Sequence, residues 1–230
     1  MNDPLTFADA FPSQDFRFSL RIFDLEQPEV PEHGHEFHEL VVILDGEAAH
    51  VVNGRRRRVE AGDVFVIHPG ARHAYAACRD LRLCNLLYDP NHLLPVPGDL
   101  SRMTGYHALF HVDPVDAGLG QFRAWLRLGR PERDVLELAL ERMKDEAAGA
   151  RPGWESAVRA EFLRLAVFLS REYSRMKGVI PTPHGVARVA AYMAAHYDTY
   201  FRLSDLTRMA RMSKNNLLRL FRRYYGTTPT

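Results

Sequence analysis

The hydrophobic pattern of this chain changes period along its length. Between residues 16 and 88, apolar positions either alternate with polar ones or form short runs broken by turn signals, and helical periodicity is missing. Phe16, Phe18, Leu20 and Ile22 alternate, residues 40–44 form an apolar run closed by Asp45-Gly46, and residues 47–52 lead into Asn53-Gly54, a strong hairpin signal. Residues 55–59 return, Ala61-Gly62-Asp63 turns into residues 64–67, Pro69-Gly70 turns again, and residues 81–88 make a last strand. This spacing predicts a small antiparallel barrel.

From residue 132 the period becomes helical. Val135, Leu136, Ala139, Leu140 and Met143 mark one helix, opened by Pro131 and closed near Gly149; Val158, Phe162, Leu165, Ala166 and Leu169 mark a longer one over residues 154–173. The stretch 91–130 reads as a loop-rich connection with one short helix. His107 and His111 stand four apart there, which on a helix could pair on a metal, but Gly105 and Pro114 leave little room for a helix, so their spacing reads as chance. Residues 174–183, with Gly178, Pro181 and Pro183, read as a linker. A bracing helix over 186–197 follows, then two short helices, with Ser204 and Ser213 as their candidate N-caps and Gly226 as the stop.

Charge changes the picture at this end of the chain. The net charge is only +1, yet from His184 onward eight Arg or Lys stand against Asp198 and Asp205, leaving 22 basic and 27 acidic residues elsewhere. In the last helix Leu217, Leu220, Phe221 and Tyr224 form the buried stripe. The opposite face centres on Asn215, Arg219 and Arg222, flanked by Leu218, Arg223 and Asn216. Arg and Asn make bidentate contacts to guanine and adenine edges, and Lys214, Arg222 and Arg223 suit phosphates. The four arginines at 55–58 instead sit beside a turn on an alternating strand, where a solvated hairpin is the simpler reading. Two cysteines without a C-x-x-C indicate neither a zinc ribbon nor a disulfide framework. The start lacks a secretory pattern and no run approaches 18 apolar residues, so a cytoplasmic protein with no membrane partner is expected. Phosphate-loop, dinucleotide and nucleophile-elbow motifs are absent.

The run 206–213 with Leu217, Arg219, Phe221 and Gly226-Thr-Thr-Pro229 is similar to the first helix-turn-helix of the AraC family of transcription regulators. In that family the positions matching Asn215, Leu218 and Arg219 meet base edges. Thr207 stands where the family usually has Ala, and Arg211 where it often has Gly; a positive φ there would cost Arg211 on the order of 1 kcal/mol. The family continues into a second helix-turn-helix, whereas this sequence ends at Thr230, so half of the DNA-binding domain is expected to be missing.

His33, His35, Glu39 and Gly46, with Pro69-Gly70 and His73, resemble the two cupin motifs; the second is the looser match, since Ala77 replaces the usual Asn. His33, His35 and Glu39 share strand parity, and the resemblance brings His73 beside them. Three imidazoles and a carboxylate suit Fe, Mn, Ni or Zn. A metal-free effector pocket and purely structural histidines are the alternatives. His38 falls on the other face with Leu40 and Val42, a face that needs cover from helices or another subunit. The helices at 132–148 and 154–173 are similar to the family's dimerisation helices, or they only cover the barrel.

Together these resemblances imply an α+β chain: a cupin-type antiparallel barrel (1–90), a connection and helical pair (91–173), a linker (174–183) and a first helix-turn-helix (184–230). The stretches around residues 31–42 and 84–90 look most similar to the family's rhamnose-type regulators. The implied function is a ligand-responsive, homodimeric transcription regulator that binds duplex DNA and a small effector, a sugar being one option, and is not an enzyme. A metal-dependent cupin dioxygenase or isomerase, with the four barrel residues catalytic, is the alternative from another class. A third is an effector-binding, dimerising fragment without useful DNA binding.

Overall fold

The computed structural model describes residues 4–13, 15–25, 29–93, 98–112, 125–176 and 184–229. After a single helical turn, α1 (Phe7–Ala10), the alternating stretch forms β1 (Phe18–Leu25), β2 (Glu29–Gly34), β3 (His38–Val52), β4 (Arg55–Glu60), β5 (Asp63–Ile67) and β6 (Arg72–Tyr88). All pair antiparallel in one sheet: β1, β6, β3 and β5 in order, with β2 added to β6 and β4 to β3. The long strands β3 and β6 run through both halves of the barrel. Asn53 and Gly54 hold φ of 48° and 76°, the conformation of a type I′ hairpin turn.

One irregularity positions the interior. The β3–β6 register shifts three times between Ile43 and Ala49, and Gly46 lies within this stretch at φ 71°. Val41 and Ile43 lie in the inner core, and so do Ala48 and Val52; Ala48 stands five positions, an odd number, after Ile43, so the inward parity has switched. Val59, Phe65, Ile67 and Leu83 complete this inner core.

The other face of the strands carries Phe18, Leu40, Val42, Val66, Leu86 and Tyr88. Its cover comes from α2 (Pro90–Leu93), α3 (Thr104–Phe110), α4 (Arg130–Gly149) and α5 (Trp154–Arg175), through Leu93, Leu109, Leu136, Leu140, Phe162, Leu165 and Leu169. Each such side chain contributes roughly 1.5–3 kcal/mol when fully buried. Helices therefore do cover the barrel, while Val135, Leu138 and Leu163 on their far side stay exposed.

The one short helix expected in the connection is α3, and it runs through Gly105, where a Cβ would lie 2.1 Å from the Ser170 carbonyl oxygen, so the glycine lets α3 pass close against α5. Within the same stretch β7 (Trp125–Arg127) pairs with β5, and Arg127 forms an ion pair with buried Asp63 at 2.7 Å. Three residues carry too little pattern to announce a strand. Most of the expected linker, residues 177–183, lies outside the described residues; α5 runs on to Arg175.

α6 (His184–Ala195) packs Val186, Val189 and Ala190 against α7 (Leu203–Ala210) and α8 (Lys214–Tyr225), through Leu206, Ala210, Leu217, Leu220 and Phe221. Ser213 caps α8 as expected, its Oγ accepting from the Asn216 N–H at 3.4 Å, and Gly226 closes it at φ 71°. Ser204 is not a cap. The helix begins two residues earlier, after Arg202, and the Ser204 carbonyl accepts from Thr207 Oγ1 at 2.9 Å. Arg211 occupies the left-handed region at φ 53°, the position where glycine suffers no steric cost. Arg211→Gly should accordingly raise unfolding free energy by about 1 kcal/mol, measured by urea denaturation.

Candidate functional site

The barrel interior gathers the histidines by pairing and by a bend. His33 near the end of β2 stands directly across from His73 on β6, and their rings lie 4.3 Å apart. After Gly34 the chain leaves the strand through Glu36 and Phe37 and re-enters at His38. His33, His35 and Glu39 thus do not share one strand, and parity is not what collects them. The bend is fixed by a 2.7 Å contact between His35 Nδ1 and the Phe37 carbonyl oxygen. A carbonyl only accepts, so Nδ1 carries the proton and His35 Nε2 is the nitrogen left facing Glu39, 3.2 Å from its Oε2. His73 Nε2 lies 3.8 Å from the same oxygen. Only this trio, among the described residues, brings potential metal-ligating atoms within 4.8 Å of one another. His33 lies outside it, half-buried, its Nδ1 bonded to the Pro31 carbonyl oxygen at 3.0 Å.

All three members are buried. Burial alone would push the Glu39 carboxyl up, but the imidazoles of His35, His73 and His33 more than offset it and hold it below its ordinary pKa. Burial takes His73 the other way, down to about 4, against the pull of Glu39. The site at neutral pH is thus a carboxylate facing a neutral His73. His35 Nε2, Glu39 Oε1, both His73 nitrogens and the Tyr75 hydroxyl are buried without a hydrogen-bond partner. Buried polar groups are rarely left so, each costing about 1–3 kcal/mol. A bound group would satisfy them. Two imidazoles and a carboxylate fit Fe, Mn, Ni or Zn, and a hydroxylated organic ligand can also bond to each atom.

His50 is a member of this interior that the sequence reading missed. It is buried between Phe65 and Tyr75, stacked on both at ring distances of 4.7 and 4.6 Å, and 5.7 Å from His73. Counting by twos from Glu39 places it on the outer face; the register shifts around Gly46 turn it inward. The Asp45-Gly46 turn signal was the only hint. His38 does face outward, against His68 and Tyr88.

At the other end, Lys214, Asn215, Arg219 and Arg222 are exposed along α8 and Leu218 is half-buried. Arg219 donates to Asn216 Oδ1 at 2.8 Å, which orients its guanidinium along the helix. Arg223 sits apart, lining a cleft with His38, His68 and His111 on the barrel side. The tip of α8 is also held there: Tyr225 Oη bonds to His107 Nδ1 at 2.9 Å, and its ring stacks on His111. His107 and His111 are not among the groups of three or more potential metal ligands found in the described residues, and they form a docking surface for α8.

With this geometry in view, a profile of the AraC-like ligand binding domain matches residues 17–165, well over half of the chain. The chain belongs to that family. The AraC-like match spans β2 to β6 and so includes the whole buried set, and it extends across α3 and α4 into α5. The activator RhaS of Escherichia fergusonii is 25% identical over 221 residues, covering 96% of this chain and 75% of RhaS. RhaR of Escherichia coli K12 is 45% identical over 62 residues, only 27% of this chain and 22% of RhaR. Among solved structures, apo ToxT of Vibrio cholerae aligns over 92% of this chain and 76% of its own, at 11% identity and TM-score 0.42. An RmlC-like cupin from Shewanella frigidimarina aligns over 30% of this chain and 64% of its own, at 21% identity and TM-score 0.29. The α+β organisation of an antiparallel sheet followed by helices is that of an AraC-type protein. No helix among the described residues is long and apolar enough to cross a membrane.

Proposed function

We propose that this chain is a ligand-responsive, DNA-binding transcription regulator of AraC type and not an enzyme. In this reading, residues 1–90 sense a small effector and residues 184–230 contact DNA. The observation that carries the reading is the set of unsatisfied buried atoms on His35, Glu39 and His73 in an AraC-family chain whose other end is a basic helix pair. Both curated relatives are named as transcriptional activators, which supports regulation over catalysis. The effector is a small hydroxylated molecule, a sugar being the simplest case, bonding to His35, Glu39, His73 and Tyr75 with His33 at the edge. Asn215, Leu218 and Arg219 face base edges, while Lys214, Arg222 and Arg223 serve phosphates; Arg223, turned toward the barrel, does so only if α8 moves off it.

A second reading of the barrel is a divalent metal on the same trio, favoured by the bare Glu39 carboxylate facing two imidazole nitrogens. Metal analysis of untagged protein separates the two. Under the effector reading, metal is well below one equivalent and sugars raise the thermal midpoint in wild type but not in Glu39→Gln. One equivalent of metal, lost in Glu39→Gln, replaces it with the metal reading. Homodimerisation belongs to the proposal as well: Val135, Leu163, Val167 and Phe168 line an apolar groove along α4 and α5. Sedimentation at tens of micromolar should give a dimer that Leu163→Glu dissociates; a monomer would refute this part.

A further inference from the structure

Where α8 meets the barrel, a cleft of about 370 Å³ is lined by His38, Asn53, His68, His111, Arg223 and Tyr224, with the Pro69-Gly70 turn forming one wall. It lies across that turn from the His35, Glu39 and His73 set and shares no residue with it; the Gly70 N–H donates to the His35 carbonyl oxygen at 3.1 Å between them. Its size is at the lower end of small-molecule sites, roughly 300–1,000 Å³.

The lining has a definite polarity. Among the described residues no Asp or Glu lines it, and Arg223 supplies the formal positive charge. Arg223 has contacts of its own, but a guanidinium carries five N–H donors and serves several partners at once. The Asn53 Oδ1 already accepts from the Arg72 N–H at 3.0 Å, so the amide group it offers a newcomer is its NH2. His68 is the acceptor. Burial drives its pKa down to about 4, and the Val112 carbonyl faces one of its nitrogens, which must therefore carry the proton. The other, Nε2, is a buried lone pair without a hydrogen-bond partner. Metal is the wrong occupant, since these imidazoles do not converge as the barrel trio does.

We propose that this cleft binds a small hydroxylated carboxylate, with the carboxylate on Arg223 and the Asn53 amide and a hydroxyl donating to His68 Nε2. Such a ligand touches the barrel turn and α8 together, beside the Tyr225–His107 bond that already holds α8. Binding therefore strengthens the docking of the basic helix on the barrel. The site is separate from the barrel's own, and it stands or falls independently of what that interior binds.

The test is histidine-selective carbon-13 NMR of the full chain, titrated with D-gluconate and glycerate, and with glycerol and inorganic phosphate as controls. Saturable shifts at His68 and His111 with a hydroxy acid are expected, at least ten-fold weaker in Arg223→Gln and unchanged in His73→Gln. Neither control should match the acids. The proposal is overturned by the absence of saturable shifts with both acids, by shifts confined to His35 and His73, by glycerol or phosphate binding as tightly, or by an Arg223→Gln variant that binds like wild type.

Discussion

Gly46→Ala is expected to cost about 2–5 kcal/mol of stability, while Gly54→Ala costs only about 1–2 kcal/mol. Both residues hold a left-handed backbone, at φ 71° and 76°. Any L side chain loses roughly 1–2 kcal/mol in that region. Only at Gly46 does a second effect operate: the new Cβ would lie 2.2 Å from the Asp80 carbonyl oxygen and 2.4 Å from that of Arg79, whereas Gly54 has nothing within 4 Å. Backbone cannot rotate away as a side chain can, so β3 must shift against β6, an overpacking of the kind that costs about 1–3 kcal/mol. That shift falls on the stretch that turns His50 inward, so the Gly46 variant should also lose the ordered packing of His50 on Phe65 and Tyr75. Urea denaturation of both variants decides the comparison, and equal losses would show that the close approach is not the cause.

Acid should begin to destabilise this protein from about pH 6.5 downward, before carboxylates titrate. Burial lowers His68 to about 4 and His111 to about 3, the latter also through His107, His68 and His38 nearby. In the unfolded chain both return to about 6.5. Between those values the unfolded state holds more protons than the folded one, so stability present above pH 6.5 is lost as pH falls. By linkage each of these two removes roughly 2.5 kcal/mol by pH 4.5, about 5 kcal/mol for the pair, and buried His73, lowered to about 4, adds in the same direction. Lowered Glu39 acts in the same direction further down. Against a usual total of about 5–15 kcal/mol, this places the acid transition near pH 4–5. Denaturant titrations from pH 7 to 4.5 should show stability falling with pH, and His111→Gln should make the fall shallower by about 1.4 kcal/mol per pH unit. A flat profile above pH 5 would contradict the buried, neutral state of these imidazoles.

The barrel and the helix pair were legible because each depends on local pattern. Alternation, Asn53-Gly54, the stripe of Leu217, Leu220 and Phe221, and the caps at Ser213 and Gly226 all act within a few residues of chain. What escaped the reading depends on distant partners. His50 faces inward because β3 slips against β6, and Gly105 is needed because α5 passes close by. The docking of Tyr225 on His107 joins residues 118 apart. The trio was found for a partly wrong reason: His35 and Glu39 meet across a bend rather than along a strand. His33, named with them, stands beside His73 but outside the trio.

The regulator reading rests on α8 meeting DNA. In that reading one such helix offers two principal base-reading side chains, Asn215 and Arg219, each worth about 1–3 kcal/mol of discrimination, against the roughly 4–10 kcal/mol typical of specific sites. The 230-residue chain should therefore bind duplex DNA weakly, with little sequence preference and steep salt dependence. Fluorescence anisotropy on a labelled duplex across a salt series measures this directly. The account predicts binding at low salt, with the slope of log affinity against log salt reduced by about 0.9 in Arg222→Ala and affinity reduced in Arg219→Ala. Absence of binding at low salt, or binding indifferent to both substitutions, would contradict it.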